Sequence, residues 1–172
     1  MQKNRLSSVL STFVVCYVFW LLLTWSFSAQ ELVMGAVVCL CVAWFASRMF
    51  IHEDPTWLFK PQKLLALLAY IPLFLRELWK ANVDMAKRCF GGCRSINPGI
   101  IKVPVEAKGL YAQAMLANSI TLTPGTITMD IVSENGKDYY YIHWIDVTTT
   151  DRVKAGEIIK GSLEKGVRRI WE

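Results

Sequence analysis

The stretch that most constrains the fold is LANSITLTPGT, residues 116–126 of the 172-residue chain. Residues 110–122 are compatible with a helix, and the Pro124-Gly125 pair that follows typically ends one in a tight turn. In a type II turn, proline fixes φ at the second position and glycine accepts the positive φ of the third. The run therefore predicts a helix end, a turn and the start of a strand. It contains no nucleophile–base pair, metal cluster or phosphate loop.

On the N-terminal side of this run, the sequence predicts a short strand followed by the helix. Ile101, Val103 and Val105 share one face of the strand, and polar residues alternate with them. Pro104 lies within the same stretch and lacks a backbone N–H, which confines the strand to an edge of its sheet.

On the C-terminal side, the sequence predicts a β-hairpin. Ile127, Met129 and Ile131 alternate with other residues as in a strand. Asn135-Gly136 is a strong hairpin signal, and residues 139–147 are rich in the aromatic and β-branched residues that strands favour.

A last helix is predicted after Thr149-Thr150-Asp151, which can cap its N-terminus. Its apolar stripe consists of Ile159, Leu163, Val167 and Ile170. Residues 100–172 therefore predict a small cytoplasmic α+β domain of order β-α-β-β-α, with the helices on one face of an antiparallel sheet.

Residues 1–50 predict a transmembrane helical hairpin. Two apolar runs, 6–27 and 32–50, are each long enough to cross the ~30 Å hydrocarbon core as a helix. Residues 28–31 connect them tightly. A cleaved signal peptide is disfavoured, because its apolar region would be shorter and no second run would follow directly.

Residues 51–99 predict a loop and an amphipathic membrane-associated helix. Pro61 can start this helix, which extends from about Gln62 to Phe90. Its uncharged part, 64–75, has twelve residues and contains Pro72. A run of that length is more often interfacial than spanning. Apolar and charged residues alternate beyond it, as in helices that lie on a membrane.

Two topologies remain for this helix, an interfacial position or a third span. If only the first two segments span, then Lys3, Arg5 and the basic segment from 60 to 102 all lie on one side, which the positive-inside rule makes cytoplasmic. Three spans would divide these cations across the membrane. The sequence favours two spans and a helix at the cytoplasmic interface, in contact with anionic membrane lipids.

The composition disfavours nucleic acid as a partner and a metal as a cofactor. The net charge is +5, but 53% of the residues are hydrophobic and no nucleic-acid recognition motif accompanies the charge. Among the five cysteines, Cys89 and Cys93 form a Cys-x3-Cys pair. A metal site would need two more suitable ligands. Two free thiols are the favoured interpretation, with a disulfide or redox pair as the alternative.

The residues offer little catalytic or transport chemistry. His143 could act as a general base, and Asp130 with Asp146 could form a carboxylate pair, but structural or solvated roles are commoner for such residues. A proton or sodium path needs ionisable groups inside the bilayer. Glu31 and Arg48 lie only at segment ends. The sequence favours a non-catalytic scaffold subunit, with a membrane-anchored enzyme using His143 and Asp146 as the remote alternative.

The run 117–126 resembles the signature of the E subunit of multisubunit Na+/H+ antiporters of the Mrp/Mnh type. The resemblance covers nearly the whole chain. Four other pieces are similar to that family's in order and spacing, namely Tyr70-Ile71-Pro72, Ala81-Asn82-Val83-Asp84, Asn97-Pro98-Gly99-Ile100 and Ile142-His143-Trp144-Ile145-Asp146.

The resemblance implies an accessory subunit of a cation/proton antiporter complex in the cell membrane, in which larger subunits carry the ions. Related modules occur in membrane-bound hydrogenases and sulfur reductases, so a redox-driven pump is the alternative host. The implied partners are other hydrophobic subunits, and no cofactor is implied. The candidates for a structural or subunit-interface role are Asn118, Ser119, Thr121, Thr123, Pro124, Gly125, Thr126, His143 and Trp144.

Overall fold

The computed structural model describes residues 5–49, 60–91 and 96–171. Within these ranges the chain forms five helices and three strands, in the order α1 (Arg5–Thr24), α2 (Ala29–Met49), α3 (Pro61–Phe90), β1 (Gly99–Val105), α4 (Leu110–Leu122), β2 (Thr126–Glu134), β3 (Lys137–Trp144) and α5 (Arg152–Trp171). The mixed α/β fold and the β-α-β-β-α order are confirmed. Cys93 of the predicted Cys-x3-Cys pair and the cation Lys3 lie outside the described ranges.

The chain divides into two compact units, Met1–Pro61 and Gln62–Glu172. Almost all of α3 therefore belongs to the same unit as the sheet. The predicted division into three segments with different membrane roles stays a prediction.

In the first unit, α1 and α2 pack against each other as an antiparallel hairpin. The Tyr17 hydroxyl donates to the Leu32 carbonyl at 3.2 Å. A Cβ built on Gly35 would lie 2.5 Å from the Trp20 ring, so the glycine permits this close approach. Among the described residues, only Ala29–Ala46 is long and apolar enough to cross a bilayer, and the apolar part of α1, Ser8–Thr24, is shorter.

In the second unit, the three strands form an antiparallel sheet in the order β1-β3-β2. β1 lies at an edge, as the proline at position 104 predicts. The β2–β3 connection is the predicted tight turn, since Asn135 and Gly136 have φ values of 53° and 74°.

One face of the sheet packs against α4 and α5. Val103, Tyr140 and Ile142 on this face are fully buried, together with Leu116 and Ile120 of α4. The predicted face of β1 is thus the core face. On the opposite face, His143 is half-buried between Ile100 and Ile127 of the neighbouring strands, which are 60% and 52% exposed.

The regular alternation predicted for β2 is interrupted. The register with β3 shifts between Thr128 and Asp130, which marks a β-bulge. Ile127 pairs with His143, whereas Ile131 pairs with the buried Tyr140, so the two isoleucines face opposite sides of the sheet. Thr128, before the bulge, pairs with the buried Ile142 and faces α4, where its hydroxyl donates to the Ala117 carbonyl at 3.3 Å.

The last helix begins where the sequence predicts and buries more than its apolar stripe. Asp151 Oδ1 accepts from the backbone N–H groups of Val153 at 2.9 Å and Lys154 at 3.3 Å, which caps α5. Lys160 and Glu164, one helical turn apart, are also buried and form an ion pair with each other. The sequence does not distinguish this pair from a solvated one, because its (i, i+4) spacing is typical of solvated helix faces.

Glu164 also forms hydrogen bonds with the backbone of the segment that follows β1. Its Oε1 accepts from the backbone N–H groups of Glu106 at 2.8 Å and Ala107 at 3.3 Å. The carboxylate therefore satisfies three donors in the core, counting the Lys160 ammonium. We call these contacts of Glu164 with Lys160, Glu106 and Ala107 the clasp. They join α5 to the connection between β1 and α4.

The buried Tyr140 is expected to make the unfolding free energy of the second unit depend on pH in the alkaline range. Its hydroxyl donates to the Gln113 carbonyl at 2.7 Å. Burial, with added repulsion from Glu164 and Asp138, raises the pKa of Tyr140. An unfolded tyrosine ionises near pH ~10, so above that pH the folded state binds the extra proton and the unfolding free energy falls as pH rises.

We expect Tyr140→Phe to reduce this alkaline loss of stability, because it removes the ionising group from both states. Denaturant unfolding between about pH 9 and pH 11 measures the slope. Tyr139→Phe, on the neighbouring position, is the control, and an equal reduction by both variants would contradict the assignment.

Candidate functional site

The threonines that follow α4 satisfy its C-terminal carbonyl groups. The last four carbonyls of a helix have no partner within it. The Thr123 and Thr126 hydroxyls lie 2.7 Å and 2.8 Å from the Ile120 carbonyl oxygen, and 3.0 Å from each other. Both threonine side chains are buried. This part of the signature therefore stabilises the end of the helix.

Between these threonines, Pro124 and Gly125 form the predicted turn. Gly125 has a φ of +99°, in the region that favours glycine. Its carbonyl accepts from the Ile145 N–H at 2.9 Å, just beyond β3. The turn thus connects the end of α4 to the end of the central strand.

Thr121 holds α4 against the edge strand β2. Its hydroxyl donates to the Ala117 carbonyl at 2.9 Å and accepts from the Thr128 N–H at 3.1 Å. Further along β2, Asp130 Oδ1 accepts from the Ile131 N–H at 2.8 Å. These side chains use two backbone donors that an edge strand would otherwise offer to a neighbouring strand.

Ser119 links α4 to α3. Its hydroxyl donates to the Met115 carbonyl at 2.7 Å and accepts from the Tyr70 hydroxyl at 2.8 Å. Burial raises the pKa of Tyr70, and the bond to Ser119 only partly offsets this. The phenol therefore stays protonated and donates. The structure thus places Tyr70, from one piece of the family resemblance, against the signature run.

A second contact holds the C-terminal half of α3. Arg88 Nη1 lies 2.7 Å from Asp146 Oδ2, beyond the end of β3, and Arg88 Nε lies 2.7 Å from Asp84 Oδ2. Both carboxylates raise the pKa of Arg88. Asp146 is therefore an ion-pair partner of α3, and it does not pair with Asp130, which accepts from its neighbour's backbone.

A cleft of about 390 Å³ lies between α3, the 123–126 turn and α5. Glu77, Lys80, Asp84, Arg88 and Asp146 line its charged side. Each of these groups has an oppositely charged partner within 3.2 Å. Among the described residues, no group of three or more His, Cys, Asp or Glu side chains could hold a metal ion.

The structure therefore brings most predicted site residues together, but not all. The hydroxyl residues at 119, 121, 123 and 126 form three separate sets of hydrogen bonds around the last turns of α4. Trp144 is half-buried and lines the cleft. His143 lies apart on the open face of the sheet. Asn118 is exposed on α4, and its side chain has no hydrogen bond to any described residue.

Thr126→Val is expected to lower the unfolding free energy by about 1–3 kcal/mol, because valine keeps the shape but removes a buried donor from the Ile120 carbonyl. Chemical denaturation measures the change. Thr150→Val, at an exposed position before α5, is the control and should shift stability by less than about 0.5 kcal/mol. Equal effects would show that the Thr126 hydroxyl does not stabilise the helix end.

Comparisons with known proteins show which proteins the chain resembles. A family model described as Na+/H+ ion antiporter subunit, MNHE, matches residues 13–170. The chain is 34% identical over 140 residues to the E subunit of the Na(+)/H(+) antiporter of Alkalihalophilus pseudofirmus, covering 81% of this chain and 84% of the relative. It is 31% identical over 151 residues to the corresponding E subunit of Bacillus subtilis, covering 88% and 90%.

A solved structure is also similar. One chain of the membrane-bound sulfane sulfur reductase, an archaeal respiratory membrane complex, matches with a TM-score of 0.81 and 41% identity, over 96% of this chain and 99% of that chain. The family model and the curated relatives each span most of the sequence. The chain belongs to the family of Na+/H+ antiporter E subunits.

Proposed function

We propose that the chain is a non-catalytic accessory subunit of a multisubunit cation/proton antiporter, needed for the assembly or activity of the complex. The observation that carries this proposal is the use of the signature hydroxyls. They bind the carbonyls of α4, the edge of β2 and Tyr70, so the family's most distinctive segment builds the fold of the domain. Ion exchange then belongs to partner subunits.

The first unit is proposed to anchor the chain in the cell membrane as a two-span hairpin. Its outward side chains are large and apolar, and they include the exposed Phe19, Leu22, Leu40 and Phe45. Such a surface suits lipid or other apolar helices. The second unit is proposed to lie on the cytoplasmic side, following the distribution of basic residues.

Two of the candidate interface residues, Asn118 and His143, are proposed to contact partner subunits. Their side chains form no hydrogen bond with the described part of the domain, although their backbones belong to α4 and β3. Their polar groups remain available, on the side of α4 and on the open face of the sheet. The remaining candidates have structural partners within the domain or form its turn and cleft.

A redox-driven ion pump is the second candidate host, and one observation favours it. The chain of the sulfane sulfur reductase is 41% identical to this one, whereas the antiporter relatives described above are 31% and 34% identical. The subunit would have the same scaffold role in that host, and electron transfer by other subunits would supply the energy.

Affinity purification of the tagged full chain in a mild detergent tests the role and separates the hosts. We expect several very hydrophobic subunits to co-purify with it. Subunits carrying iron–sulfur clusters would identify a redox host, and their absence from an otherwise complete complex would identify an antiporter. Recovery of the chain without partners, at normal expression from its own locus, would contradict the accessory role.

A further inference from the structure

We propose that α3 lies along an anionic lipid surface, with the apolar stripe formed by Leu64, Leu68, Ile71, Leu75 and Trp79 turned into the membrane. We call these five residues the outward stripe. The proposal rests on the proposed membrane role of the chain, but it concerns the second unit and fails independently of the host complex. The lipid surface would hold the domain through α3.

The outward stripe is the face of α3 that the domain leaves free. Tyr70, Met85 and Arg88 contact the domain at Ser119, near Gly125 and at Asp146. At about 100° per residue, Tyr70 and Arg88 lie about 140° around the helix from the centre of the stripe and Met85 about 80°, so the stripe faces away from these contacts. Its residues are exposed, and Trp79 is 73% accessible. A row of large apolar side chains on a charged helix is typical of membrane-surface helices.

The contacts of α3 argue against a third span. Tyr70 and Arg88 are 18 residues apart, or about 27 Å along a helix, and both bind the same domain. If residues 64–75 crossed the hydrocarbon core, Tyr70 would lie within the core. Its hydrogen bond to Ser119 would then place Ser119 and the surrounding part of the domain in the core as well. A helix parallel to the membrane surface keeps both contacts and still buries the stripe.

The charges beside the stripe identify the kind of surface. Arg76, Lys80 and Lys87 are exposed and fall on one flank of the stripe by helical periodicity. Lys80 pairs with Glu77 at 3.2 Å, whereas Arg76 and Lys87 have no acidic partner among the described residues. Glu77 and Asp84 lie toward the domain. The flank therefore presents net positive charge, which complements anionic headgroups.

Spin-label accessibility in vesicles tests the proposal on the full chain. The five native cysteines are replaced, and single labels are placed at Leu68, Ile71 and Leu75. The chain is reconstituted alone in vesicles of phosphatidylcholine with phosphatidylglycerol. We expect all three labels to be accessible to oxygen, protected from a nickel chelate, and at similar depths of about 5–10 Å below the headgroups.

Two control labels make the geometry explicit. A label at Ala69, next to Leu68 but turned about 100° toward the basic flank, should be shallower. A label at Lys137, in the β-hairpin turn, should be fully accessible to the nickel chelate. Arg76→Gln with Lys87→Gln, or vesicles of phosphatidylcholine alone, should shift the stripe labels toward water.

Three results would overturn the proposal. Stripe labels as accessible to the nickel chelate as the Lys137 label would show that the stripe faces water. Depths that change steadily by about 1.5 Å per residue from Leu68 to Leu75 would show a spanning helix. Labels accessible to the nickel chelate in these vesicles but protected in the same labelled chain purified within its complex would show that the stripe is a protein interface.

Discussion

Glu164→Leu is expected to destabilise the second unit by about 3–5 kcal/mol, since removing one member of a buried ion pair leaves the other charge uncompensated. Lys160 would lose its partner, and the backbone N–H groups of Glu106 and Ala107 would lose their acceptor. Leucine matches the size of the site but accepts no hydrogen bond.

Amide hydrogen exchange of the full chain in detergent measures this loss within the second unit alone. The matched control is Glu157→Leu, an exposed position on the same helix, which should change stability by less than about 0.5 kcal/mol. Glu164→Gln keeps an acceptor for the two N–H groups, so its loss of stability should lie between those of Glu157→Leu and Glu164→Leu. If the leucine variants at 157 and 164 behaved alike, the clasp would not be a source of stability.

Gly166→Ala and Gly161→Ala are expected to change stability in opposite directions, although both lie on α5. A Cβ at Gly166 would lie 2.6 Å from Tyr70 Cδ2, whereas the nearest atom to a Cβ at Gly161 is 4.0 Å away. Overpacking at Gly166 should cost about 1–3 kcal/mol and loosen α3 from the domain. Alanine at Gly161 should gain about 0.5–1 kcal/mol through its higher helix propensity.

A double-mutant cycle checks that the strain at Gly166 arises from Tyr70. Combining Gly166→Ala with Tyr70→Leu should recover part of the cost, because the smaller side chain leaves room for the methyl group. Hydrogen exchange in α3 should rise in Gly166→Ala and stay unchanged in Gly161→Ala. Equal stabilisation by alanine at both positions would show that α3 does not rest on this glycine.

The local elements of the second unit were predictable because each carries its own signal. Pro104 marks an edge strand, Asn135-Gly136 marks a hairpin, and Asp151 caps the last helix. The end of α4 was predictable from Pro124-Gly125. These signals depend on backbone preferences of single residues and survive in almost any tertiary context.

The contacts that assemble these elements were not predictable from one sequence. Tyr70 and Ser119 are 49 residues apart, and Arg88 and Asp146 are 58 residues apart. No local pattern indicates which side chains meet across such distances. Lys160 and Glu164 look like a solvated pair until the fold buries them. The bulge in β2 likewise was not predictable, because residues 127–132 alternate as those of a regular strand do.

Sodium/proton exchange in proteoliposomes tests most directly the proposal that this chain is an accessory subunit. The purified chain alone, the complete complex and the complex lacking this subunit are each reconstituted, and a pH gradient is imposed before sodium is added. We expect no sodium-dependent proton movement from the chain alone. The complete complex of an antiporter host should exchange, and omission of this subunit should impair exchange or assembly. Exchange catalysed by the isolated chain would contradict the account.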